Sequence, residues 1–411
     1  MESYLDWINK VSSDTKIVPL YFVADFRISP IDKIKYEHET PVKLCNYVDV
    51  YKNTYISTDI DFMEGTASEN EVERFTIKDG DIMITKDSES SDDIGIPAIV
   101  KGDFEELTVC GYHLALITPD REKVVPKFLF YCFESKQHRL QIEIESTGVT
   151  RVGIPKDVIS HYKIPLKSLT QQNKIVAYLD QEVAKIDALI EKKSRLVELL
   201  EEKKKATISQ AVTKGLNLKA KLKSSGIDWL GDIPEHWEIV KLKYISNLKS
   251  GDNLTADDIK SEGDFKVFGG NGIRGFYDKF NHEGNLVLIG RQGALCGNIN
   301  FAEDKFWATE HAIVCNPLMK FDYYWLGKLL EYMNLNQYSL AAAQPGLSVD
   351  VIKNLEIPFP IYSEQKLISQ NLVEIDNKNN HLISKINNSI DLLKEKRTAI
   401  ISAAINGEIN L

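Results

Sequence analysis

Three glycines, Gly270, Gly272 and Gly275, have the spacing of a dinucleotide-binding turn. Such a turn holds a pyrophosphate only where it opens a helix, because the free amides of the helix N-terminus bind the anion. The residues that follow, Phe276-Tyr277-Asp278, are typical of further strand and turn. The pattern therefore favours a glycine-rich loop that lets the backbone approach a ligand or another strand closely. It predicts no bound cofactor.

A second constellation, Pro119-Asp120 followed by Glu134-Ser135-Lys136, matches the acidic motif of metal-dependent nucleases. That chemistry requires the glutamate and the lysine on a strand beside the aspartate, so that both carboxylates share Mg²⁺. Here Glu134 and Lys136 fall within a predicted helix, residues 126–141. We therefore interpret the match as chance and predict no metal site.

Other signatures of catalysis are missing from the sequence, including the Asn/Asp-Pro-Pro-Tyr/Phe tetrapeptide of amino-methyltransferases, a Walker loop and a His-Glu-x-x-His motif. The eight histidines are dispersed, although His113 and His311 occupy matching places in two halves of the chain. A structural histidine beside a strand is the favoured interpretation of both. We predict no catalytic residues.

Two internal repeats organise the chain. Residues 164–218 recur without a gap as residues 357–411, at a constant offset of 193, and each copy opens with Ile-Pro and reaches a glutamine, Gln172 or Gln365. Near the front of each half, Asp6-Trp7-Ile8 matches Asp228-Trp229-Leu230 at an offset of 222. The first half therefore carries 29 more residues between the two repeats.

Each half ends in a predicted long helix. Residues 169–212 contain neither proline nor glycine, and apolar residues recur every three or four positions, as in a coiled-coil seam. Roughly 44 helical residues form a rod of ~65 Å, and Gly215 and Gly407 mark the two ends. The predicted seam is Val183, Ile186, Ile190, Lys193, Val197, Leu200, Lys204, Thr207 and Ala211, repeated as Asp376, Asn379, Ile383, Ile386, Ile390, Leu393, Arg397, Ile400 and Ala404.

We expect the two helices to pair antiparallel, with a globular domain at each end, because equivalent domain–helix units close most easily about a two-fold axis. Polar seam residues, namely Lys193, Asp376 and Asn379, would then help to set the register. The alternative, two ordinary surface helices, is disfavoured because such helices rarely run this long.

The remainder of each half shows short apolar runs separated by glycine, aspartate and asparagine, which predict strands. The segment Gly80-Asp81-Ile82-Met83-Ile84 matches Gly284-Asn285-Leu286-Val287-Leu288. The predicted fold class is α+β: two pseudo-symmetric globular domains joined by two long helices that form an antiparallel coiled coil. Strands are predicted at residues 81–85, 98–100, 114–118, 285–289 and 312–315, and shorter helices at residues 126–141 and 323–333.

Composition indicates a cytoplasmic protein without membrane association. The N-terminus lacks the pattern of a signal peptide, and no apolar stretch approaches the roughly 20 residues that span a bilayer. Five scattered cysteines are predicted to be reduced core thiols. The formal charge of −10 argues against a generic nucleic-acid binder, although residues 192–223 are locally rich in lysine.

These features together resemble the specificity subunits of type I restriction-modification systems. The resemblance covers essentially the full length and rests on the twofold repeat, the long helices, the Ile-Pro…Gln element and the lead-in Gly231-Asp232-Ile233-Pro234-Glu235-His236-Trp237. The pieces Gly80-Asp81-Ile82-Met83-Ile84-Thr85 and Leu288-Ile289-Gly290-Arg291-Gln292-Gly293 are also similar to that family. The first half departs from the pattern: Ser12, Ser13 and Thr15 stand where the second half has Pro234, Glu235 and Trp237, and Gln171 stands where it has Glu364.

The resemblance implies target-recognition domains at residues 1–163 and 223–356, and helical spacers at residues 164–222 and 357–411. Each domain would read one half of a bipartite double-stranded DNA sequence, and the spacers would set the distance between the halves. The spacers would also dock two DNA adenine methyltransferase subunits, and the complex could recruit restriction subunits with translocase activity. The chain itself would be a non-catalytic subunit.

Base readout requires forked or amide side chains on loops near a groove, and phosphate contacts require lysine, arginine and small hydroxyls. Candidates follow strands or precede the Ile-Pro element, in loops marked by glycine. They are Lys86, Ser88, Thr147, Thr150 and Arg151 in the first domain, and Asn271, Arg274, Arg291, Gln292 and Gln344 in the second.

Two other functions are compatible with part of this pattern. A coiled-coil adaptor could bind proteins through its globular ends, but it has no need for two copies of one fold with diverged loops. A nuclease with its own recognition domains would require the catalytic motifs that are missing. A reader of two different half-sites accounts for both observations.

Overall fold

A computed structural model describes residues 11, 15–90, 93–148, 150–293, 295–339, 346–409 and 411. The chain divides into two compact units, Met1–Lys193 with Asn388–Leu411, and Ser194–Asn387. Each unit contains a globular domain and a stretch of both long helices. The repeat segment Asp6-Trp7-Ile8 and the residues Ser12, Ser13 and Gln344 lie outside the described residues.

The first globular domain contains the following elements, ahead of the long helix α6 (Leu169–Lys214). Its strands are β1 (Lys16–Pro19), β2 (Ala24–Ile28), β3 (Thr40–Cys45), β4 (Tyr55–Ile56), β5 (Met63–Ala67), β6 (Ile82–Thr85), β7 (Asp87–Ser88), β8 (Pro97–Val100), β9 (Thr108–Cys110), β10 (Leu114–Pro119), β11 (Val152–Gly153) and β12 (Lys163–Leu166). Its helices are α1 (Tyr47–Lys52), α2 (Glu69–Phe75), α3 (Pro126–Glu134), α4 (Lys136–Glu145) and α5 (Lys156–Ser160), with a 3₁₀ turn at Leu20–Phe22.

The second globular domain follows α6 and precedes a second long helix near the end of the chain. Its strands are β13 (Leu222–Ser224), β14 (Asp232–Pro234), β15 (Glu238–Lys241), β16 (Ser246–Ser250), β17 (Phe265–Gly269), β18 (Gly272–Tyr277), β19 (His282–Glu283), β20 (Leu286–Gly290), β21 (Ile299–Ala302), β22 (Lys305–Ala308), β23 (Ala312–Pro317) and β24 (Glu356–Phe359). Its helices are α7 (Leu242–Ile245), α8 (Tyr323–Tyr332) and α9 (Val349–Ile352), with 3₁₀ turns at Ala256–Asp258 and Leu335–Tyr338, and α10 (Tyr362–Asn406) follows.

The two domains share one sheet topology. The order β2-β10-β6-β8 in the first domain corresponds to β16-β23-β20-β21 in the second, and β5-β3-β9 corresponds to β18-β17-β22. In the second of these sheets the parallel pair is β3 with β9 in the first domain and β17 with β22 in the second. Each domain adds an edge strand of its own, β4 or β19. The described strands thus agree with the internal repeat found in the sequence.

The central strands are apolar on both faces because each sheet lies between two hydrophobic clusters. In β6, Ile82 and Ile84 face the cluster that includes α3, whereas Met83 faces a second cluster below the smaller sheet. In β20, Val287 and Leu288 are divided in the same way. Such two-sided burial explains why the predicted strands read as continuous apolar runs rather than alternating ones.

The two repeats pair with each other inside each domain. Strand β1 lies antiparallel to β12, with Val18 opposite Ile164, and β15 lies antiparallel to β24, with Val240 opposite Ile357. Residues 17–18 and 239–240 match at the same offset of 222 as the front repeat. The front repeat and the Ile-Pro repeat therefore meet at the base of each domain. The Ile-Pro element is the strand through which the domain joins its long helix.

A buried glutamine fixes that junction in both halves. The side-chain oxygen of Gln172 accepts from the backbone N–H of Val125 at 2.7 Å, and its amide donates to the carbonyl of Lys167 at 2.8 Å. Gln365 repeats the pattern with the backbone N–H of Asp322 at 2.8 Å and the carbonyl of Pro360 at 2.7 Å. Both glutamines are fully buried, so each one ties its long helix to the segment that starts α3 or α8.

The long helices run antiparallel in both units, as predicted. In the first unit Val183 of α6 shares a cluster with Ile401 of α10. In the second unit Val212 shares a cluster with Ile368. Residue numbers thus rise along one helix as they fall along the other. Each predicted seam position is buried or half-buried, which confirms the coiled coil and with it the predicted fold class.

One pair of polar contacts shows the pseudo-symmetry directly. Lys204 Nζ donates to Asn380 Oδ1 at 3.2 Å in the second unit. In the first unit the equivalent residues are Arg397 and Asp187, whose Nε and Oδ1 atoms lie 2.9 Å apart. Both partners are displaced by the repeat offset of 193. The two units therefore use the same helix–helix register.

Asp376 contributes to that register, in line with its predicted role. Its carboxylate lies 2.8 Å from Lys204 Nζ and 3.2 Å from Lys328 Nζ, and it accepts from the Tyr324 hydroxyl. Burial raises the pKa of Asp376, but these contacts outweigh burial and hold the pKa below its usual range. The carboxylate is therefore charged inside the seam. Asn379 instead donates to the carbonyl of Ile375 in its own helix, at 2.9 Å.

The helix predicted at residues 126–141 is two helices. Ser135 adopts an extended conformation, with φ −64° and ψ 109°, and separates α3 from α4. The break brings Ser135 Oγ within 2.8 Å of Ser402 Oγ, and His138 Nε2 within 2.8 Å of Asn406 Oδ1, both on α10. Tertiary docking onto α10 therefore overrides a locally continuous helical pattern.

Two of the positions at which the first half departs from the pattern, those of Trp237 and Glu364, contact each other in the second half. In the second half Glu364 Oε2 accepts from Trp237 Nε1 at 3.1 Å and lies 2.9 Å from His236 Nε2. The first half lacks both the tryptophan and the glutamate, and Gln171 Oε1 accepts from Ser168 Oγ at 2.9 Å instead. The first half keeps the β1–β12 pairing and the buried Gln172 without this interaction.

Candidate nucleic-acid interface

The candidate interface begins where the central strand of each domain ends. Lys86 follows β6, and its backbone N–H donates to the carbonyl of His113 at 2.8 Å. Arg291 follows β20, and its N–H donates to the carbonyl of His311, also at 2.8 Å. The two cationic side chains therefore occupy the same structural position in the two domains.

A second backbone bond holds each position from the other side. Ile154 donates to the carbonyl of Lys86 at 2.9 Å, and Leu347 donates to the carbonyl of Arg291 at 2.8 Å. The loop before the Ile-Pro element thus lies beside the central strand. The sequence predicts candidates both after strands and before the Ile-Pro element, and these backbone bonds join the two segments in each domain.

The strand registers also shift by one residue the alignment of residues 80–84 with residues 284–288 that the sequence suggests. Ile82 is opposite Ile117 in the first domain, and Val287 is opposite Cys315 in the second. With His113 equivalent to His311, Ile82 is equivalent to Val287 rather than to Leu286. A one-residue slip of this kind is invisible in the sequence because both faces of the strand are apolar.

In each domain the residue after the cationic one, Asp87 or Gln292, contacts the histidine of the neighbouring strand end. His113 Nδ1 lies 2.7 Å from Asp87 Oδ2, and His311 Nδ1 lies 3.0 Å from Gln292 Oε1. His113 has a φ of +68°, a left-handed conformation that few residues other than glycine adopt. The sequence favoured a structural role for both histidines. The structure places them inside the candidate interface, as partners of its central side chains.

The five candidates of the first domain come together. Ser88 and Asp87 of β7 pair with Val152 and Gly153 of β11, and Thr147 exchanges backbone hydrogen bonds of 3.0 and 2.8 Å with Gly153. Lys86 Nζ lies 3.3 Å from Asp87 Oδ1. Thr150 and Arg151 complete the rim of a cleft of about 410 Å³. The residues that line this cleft are Tyr47, Asp87, Ser88, Glu89, Asp93, Thr150 and Arg151.

Four candidates of the second domain also share one surface. The tight turn between β17 and β18 carries Asn271, whose Oδ1 accepts from Asn298 Nδ2 at 2.7 Å. Arg291 Nη1 donates to Ser250 Oγ at 3.2 Å, and Gln292 forms an isolated bridge with Gly346. Gln292 is exposed, whereas Arg291 is half-buried. The fifth candidate, Gln344, lies outside the described residues.

Glycines allow that turn to lie against the end of β20. A Cβ atom on Gly290 would lie 2.1 Å from the carbonyl oxygen of Gly270, and one on Gly270 would lie 3.1 Å from the carbonyl oxygen of His311. A Cβ on Gly269 would lie 2.5 Å from Cδ of Arg274, so this glycine accommodates the arginine stem. The motif leads into β18 and not into a helix, which confirms that it brings strands together.

The two surfaces differ in charge and in shape. Where the second domain has a tight turn at Asn271, the first domain has helix α1, and Tyr47 of that helix lines the cleft. Tyr51, stacked on Tyr47 with ring centroids 5.7 Å apart, donates to Asp93 Oδ2 at 2.7 Å. The first surface therefore combines aromatic rings and carboxylates with Arg151. The second presents guanidinium and amide groups, with Glu310 beside His311.

Sequence reasoning missed Tyr47, Asp87 and the two histidines. Asp87 could have been found because it lies between two named candidates, Lys86 and Ser88. Tyr47 could not, since it is some forty positions from β7 and only the insertion of α1 brings it there.

The nuclease-like residues have structural partners. Glu134 ends α3 and accepts from Arg397 Nη1 at 2.6 Å, while Lys136 begins α4. The helical placement predicted for both is confirmed, and Asp120 lies beyond β10 in a separate loop. Within the described part of the chain, no group of three or more His, Cys, Asp or Glu residues is arranged to hold a metal ion. All five cysteines are buried free thiols.

The family model for the type I restriction modification DNA specificity domain matches residues 25–199 and 234–392. The chain belongs to this family. It contains two such domains, in agreement with the repeated sheets and with the two equivalent surfaces. Among the described helices of this family member, none is long and apolar enough to cross a bilayer.

Two curated relatives are named as specificity subunits of type I restriction enzymes. The type I restriction enzyme EcoprrI specificity subunit of Escherichia coli is 36% identical over 154 residues, which is 36% of this chain and 38% of that protein. The MjaVIII specificity subunit of Methanocaldococcus jannaschii is 27% identical over 312 residues, 69% of this chain and 70% of that protein.

Solved structures show the same fold. A chain from work on complex assembly and conformational transition of the type I R-M system matches with a TM-score of 0.67 and 19% identity, over 97% of this chain and 99% of that one. The HsdS subunit from Thermoanaerobacter tengcongensis matches with a TM-score of 0.51 and 17% identity, over 97% and 98% of the two chains.

Proposed function

We propose that the chain is the DNA sequence-specificity subunit of a type I restriction-modification system, and that it has no catalytic activity of its own. Each globular domain reads one half of a bipartite double-stranded target. The observation that carries this proposal is the pair of equivalent surfaces at Lys86 and Arg291, which share one scaffold but differ in the side chains that they present.

Divergence of equivalent surfaces is what a bipartite reader requires. The backbone bonds at Lys86 and Arg291 agree to within about 0.1 Å, so the scaffold is constant. The neighbouring side chains change from carboxylate and tyrosine to amide and guanidinium. Because hydrogen bonds to base edges carry sequence information, such a change alters which bases are accepted. An adaptor that binds one protein at both ends would not need it.

The domain boundaries follow from the same argument. We infer target-recognition domains at residues 1–163 and 223–356, with spacers at residues 164–222 and 357–411. Supporting this division, the Ile-Pro strand and the buried glutamine recur at each domain–helix junction. Read in this way, the coiled coil fixes the number of unread base pairs between the half-sites.

The long helices also offer two equivalent surfaces for two DNA adenine methyltransferase subunits. Leu189 and Leu382 are equivalent residues of the two repeat copies, 193 positions apart, and are 47% and 40% exposed. Leu199 and Leu392 match in the same way and are 45% and 65% exposed. Exposed leucines outside the seam, repeated on both helices, are suited to binding two copies of one partner. Restriction subunits would join this assembly.

The acidic charge of the chain is compatible with this assignment. A net charge of −10 provides little general attraction for phosphates, so the methyltransferase subunits would supply much of the basic surface. Consequently the isolated chain should bind its specific duplex more weakly than the assembled complex at the same salt concentration. Equal affinity of the two would contradict this part of the proposal.

Mapping of methylated adenines in DNA modified by the complex tests the main proposal. The expected result is one motif made of two specified half-sites separated by a fixed number of unspecified base pairs. Methylation without a bipartite motif, or no association with a methyltransferase on co-purification, would rule the proposal out.

A further inference from the structure

Asp87 and Gln292 are equivalent residues held in the same way but with different chemistry. Each follows the cationic residue after the central strand, and each is bound by the Nδ1 atom of the equivalent histidine, at 2.7 Å for Asp87 and 3.0 Å for Gln292. A carboxylate has no proton to donate, so the His113 ring must donate to it. The Gln292 atom in contact with His311 is the carbonyl oxygen, so there too the ring donates.

After bonding to its histidine, each of the two residues offers a ligand the opposite kind of hydrogen-bonding group. With one of the two lone pairs of its oxygen used by His311, Gln292 presents mainly the two hydrogens of its amide. Asp87 presents only acceptor lone pairs because an ionised carboxylate carries no hydrogen. Its Oδ2 accepts from His113, and its Oδ1 lies 3.3 Å from Lys86 Nζ. A carboxylate accepts up to about four hydrogen bonds, so capacity remains.

The surroundings of the two residues also differ. The Asp87 side chain is 18% exposed and lines the cleft of the first domain together with Glu89 and Asp93. Gln292 is exposed beside Arg291, whose guanidinium only donates. Charges of both signs occur on each surface, since Arg151 also lines the first cleft and Glu310 lies 3.1 Å from His311 on the second. The contrast therefore lies at the equivalent position itself, which holds an acceptor in the first domain and amide donors in the second.

Bases in the major groove differ in this property. Cytosine and adenine present an exocyclic amino group, which donates, whereas guanine and thymine present a keto oxygen, which accepts. Resting on the function proposed above, we propose that Asp87 and Gln292 determine specificity at equivalent positions of the two half-sites. Asp87 selects an amino base, cytosine or adenine. Gln292 selects a keto base, guanine or thymine, on the strand that it contacts.

The exclusion of the wrong base follows from the same geometry. A keto oxygen placed against Asp87 would meet a charged acceptor and leave both groups without a donor. An amino group placed against Gln292 would meet two amide hydrogens. Because an unpaired polar group at an interface is costly, each residue discriminates between bases of the same ring size, adenine against guanine and cytosine against thymine.

Two reciprocal substitutions test the inference in the complex of the full chain with its methyltransferase subunits. Asp87→Asn keeps the size of the side chain and adds a donor. It should convert one amino base of the first half-site into a mixture with its keto counterpart, and lower the discrimination between them by about tenfold. Gln292→Glu replaces donors by acceptors. It should shift one keto base of the second half-site toward its amino counterpart.

The measurement is selection of duplexes from a randomised DNA pool by each complex, followed by sequencing. Each variant should change one position of one half-site and leave the other half-site intact. Asp103→Asn, a carboxylate of the first domain that lines a different cleft, should leave the selected motif unchanged. Because Gln292 is exposed, Gln292→Glu tests the idea even if Asp87→Asn impairs folding.

Three results would overturn the inference while leaving the proposed function in place. They are an unchanged motif in both variants, uniform loss of affinity with base preference retained, or altered preference that does not exchange amino and keto bases. The second result would mean that the two residues only position the histidines. A wild-type complex that selects no bipartite motif would instead contradict the proposed function itself.

Discussion

The side-chain oxygen of Gln365 lies 2.8 Å from the backbone nitrogen of Asp322, and this buried hydrogen bond ties α10 to the start of α8. The same residue donates to the carbonyl of Pro360 at 2.7 Å. One carboxamide thus satisfies backbone groups of two segments. The rigidity of the junction between domain and helix depends on it, because a leucine at this position would leave those groups unpaired.

Gln365→Leu is therefore expected to lower the free energy of unfolding by about 2–4 kcal/mol, since two buried backbone groups lose their partners. Urea unfolding followed by circular dichroism measures the change. Gln370→Leu, on an exposed face of the same helix, is the matched control and should change stability by less than about 0.5 kcal/mol. Equal effects of the two substitutions would show that the junction does not depend on the buried carboxamide.

His138 makes the first unit sensitive to acid. Burial lowers the pKa of this fully buried imidazole from 6.5 to about 4, with a smaller opposing effect of its bond to Asn406. Between these two values the unfolded chain binds more protons than the folded chain, so the free energy of unfolding decreases as pH falls. The contribution is fully present above about pH 6.5 and amounts to roughly 3 kcal/mol.

Comparison of wild type with His138→Gln isolates this contribution, because glutamine can still donate to Asn406 but does not titrate. Wild-type stability should fall more steeply than that of the variant between pH 6.5 and 4. His381→Gln, which removes an exposed histidine, should follow the wild-type curve. Parallel pH profiles of wild type and His138→Gln would refute the assignment.

Arg291 and Lys86 should act on separate half-sites. Arg291→Ala is expected to relax or abolish recognition of the half-site read by the second domain, at a cost of about 1–3 kcal/mol in discrimination, and to leave the first half-site intact. Lys86→Ala should affect only the first. Selection from randomised duplexes measures both effects, and unchanged affinity with unchanged preference would remove either residue from the interface.

The exposed leucines of the coiled coil should control assembly. Leu199→Glu and Leu392→Glu each place a charge on one of two equivalent surfaces, so each variant should retain one methyltransferase subunit and the double variant none. Stability should change little because both side chains are exposed. Native mass spectrometry of the purified complexes gives the stoichiometry.

Leu318→Glu, at another leucine that is 61% exposed, is the control for this experiment and should retain both subunits. Two bound subunits in the double variant would place the docking surface elsewhere on the chain.

The sequence alone determined the repeat, the long helices and the strands that form each core. These properties depend on the periodicity of apolar residues, which is written locally in the chain: α6 begins at Leu169, where the pattern begins. The seam positions followed from the same spacing, and the antiparallel pairing followed from the symmetry of the repeat. The candidate DNA-contacting residues stay predictions, made from strand ends and from glycines that mark loops.

Only the tertiary structure decided which side chains meet. The break at Ser135 depends on α10, more than 250 residues away, and no local pattern records it. The one-residue slip between Ile82 and Leu286 was hidden because both faces of the strand are buried. Likewise, the pairing of Asp87 with His113 and of Gln292 with His311 requires the register of two strands. Hydrogen bonds have a reach of about 3 Å, so long-range register, which the sequence does not encode locally, fixes the chemistry of each surface.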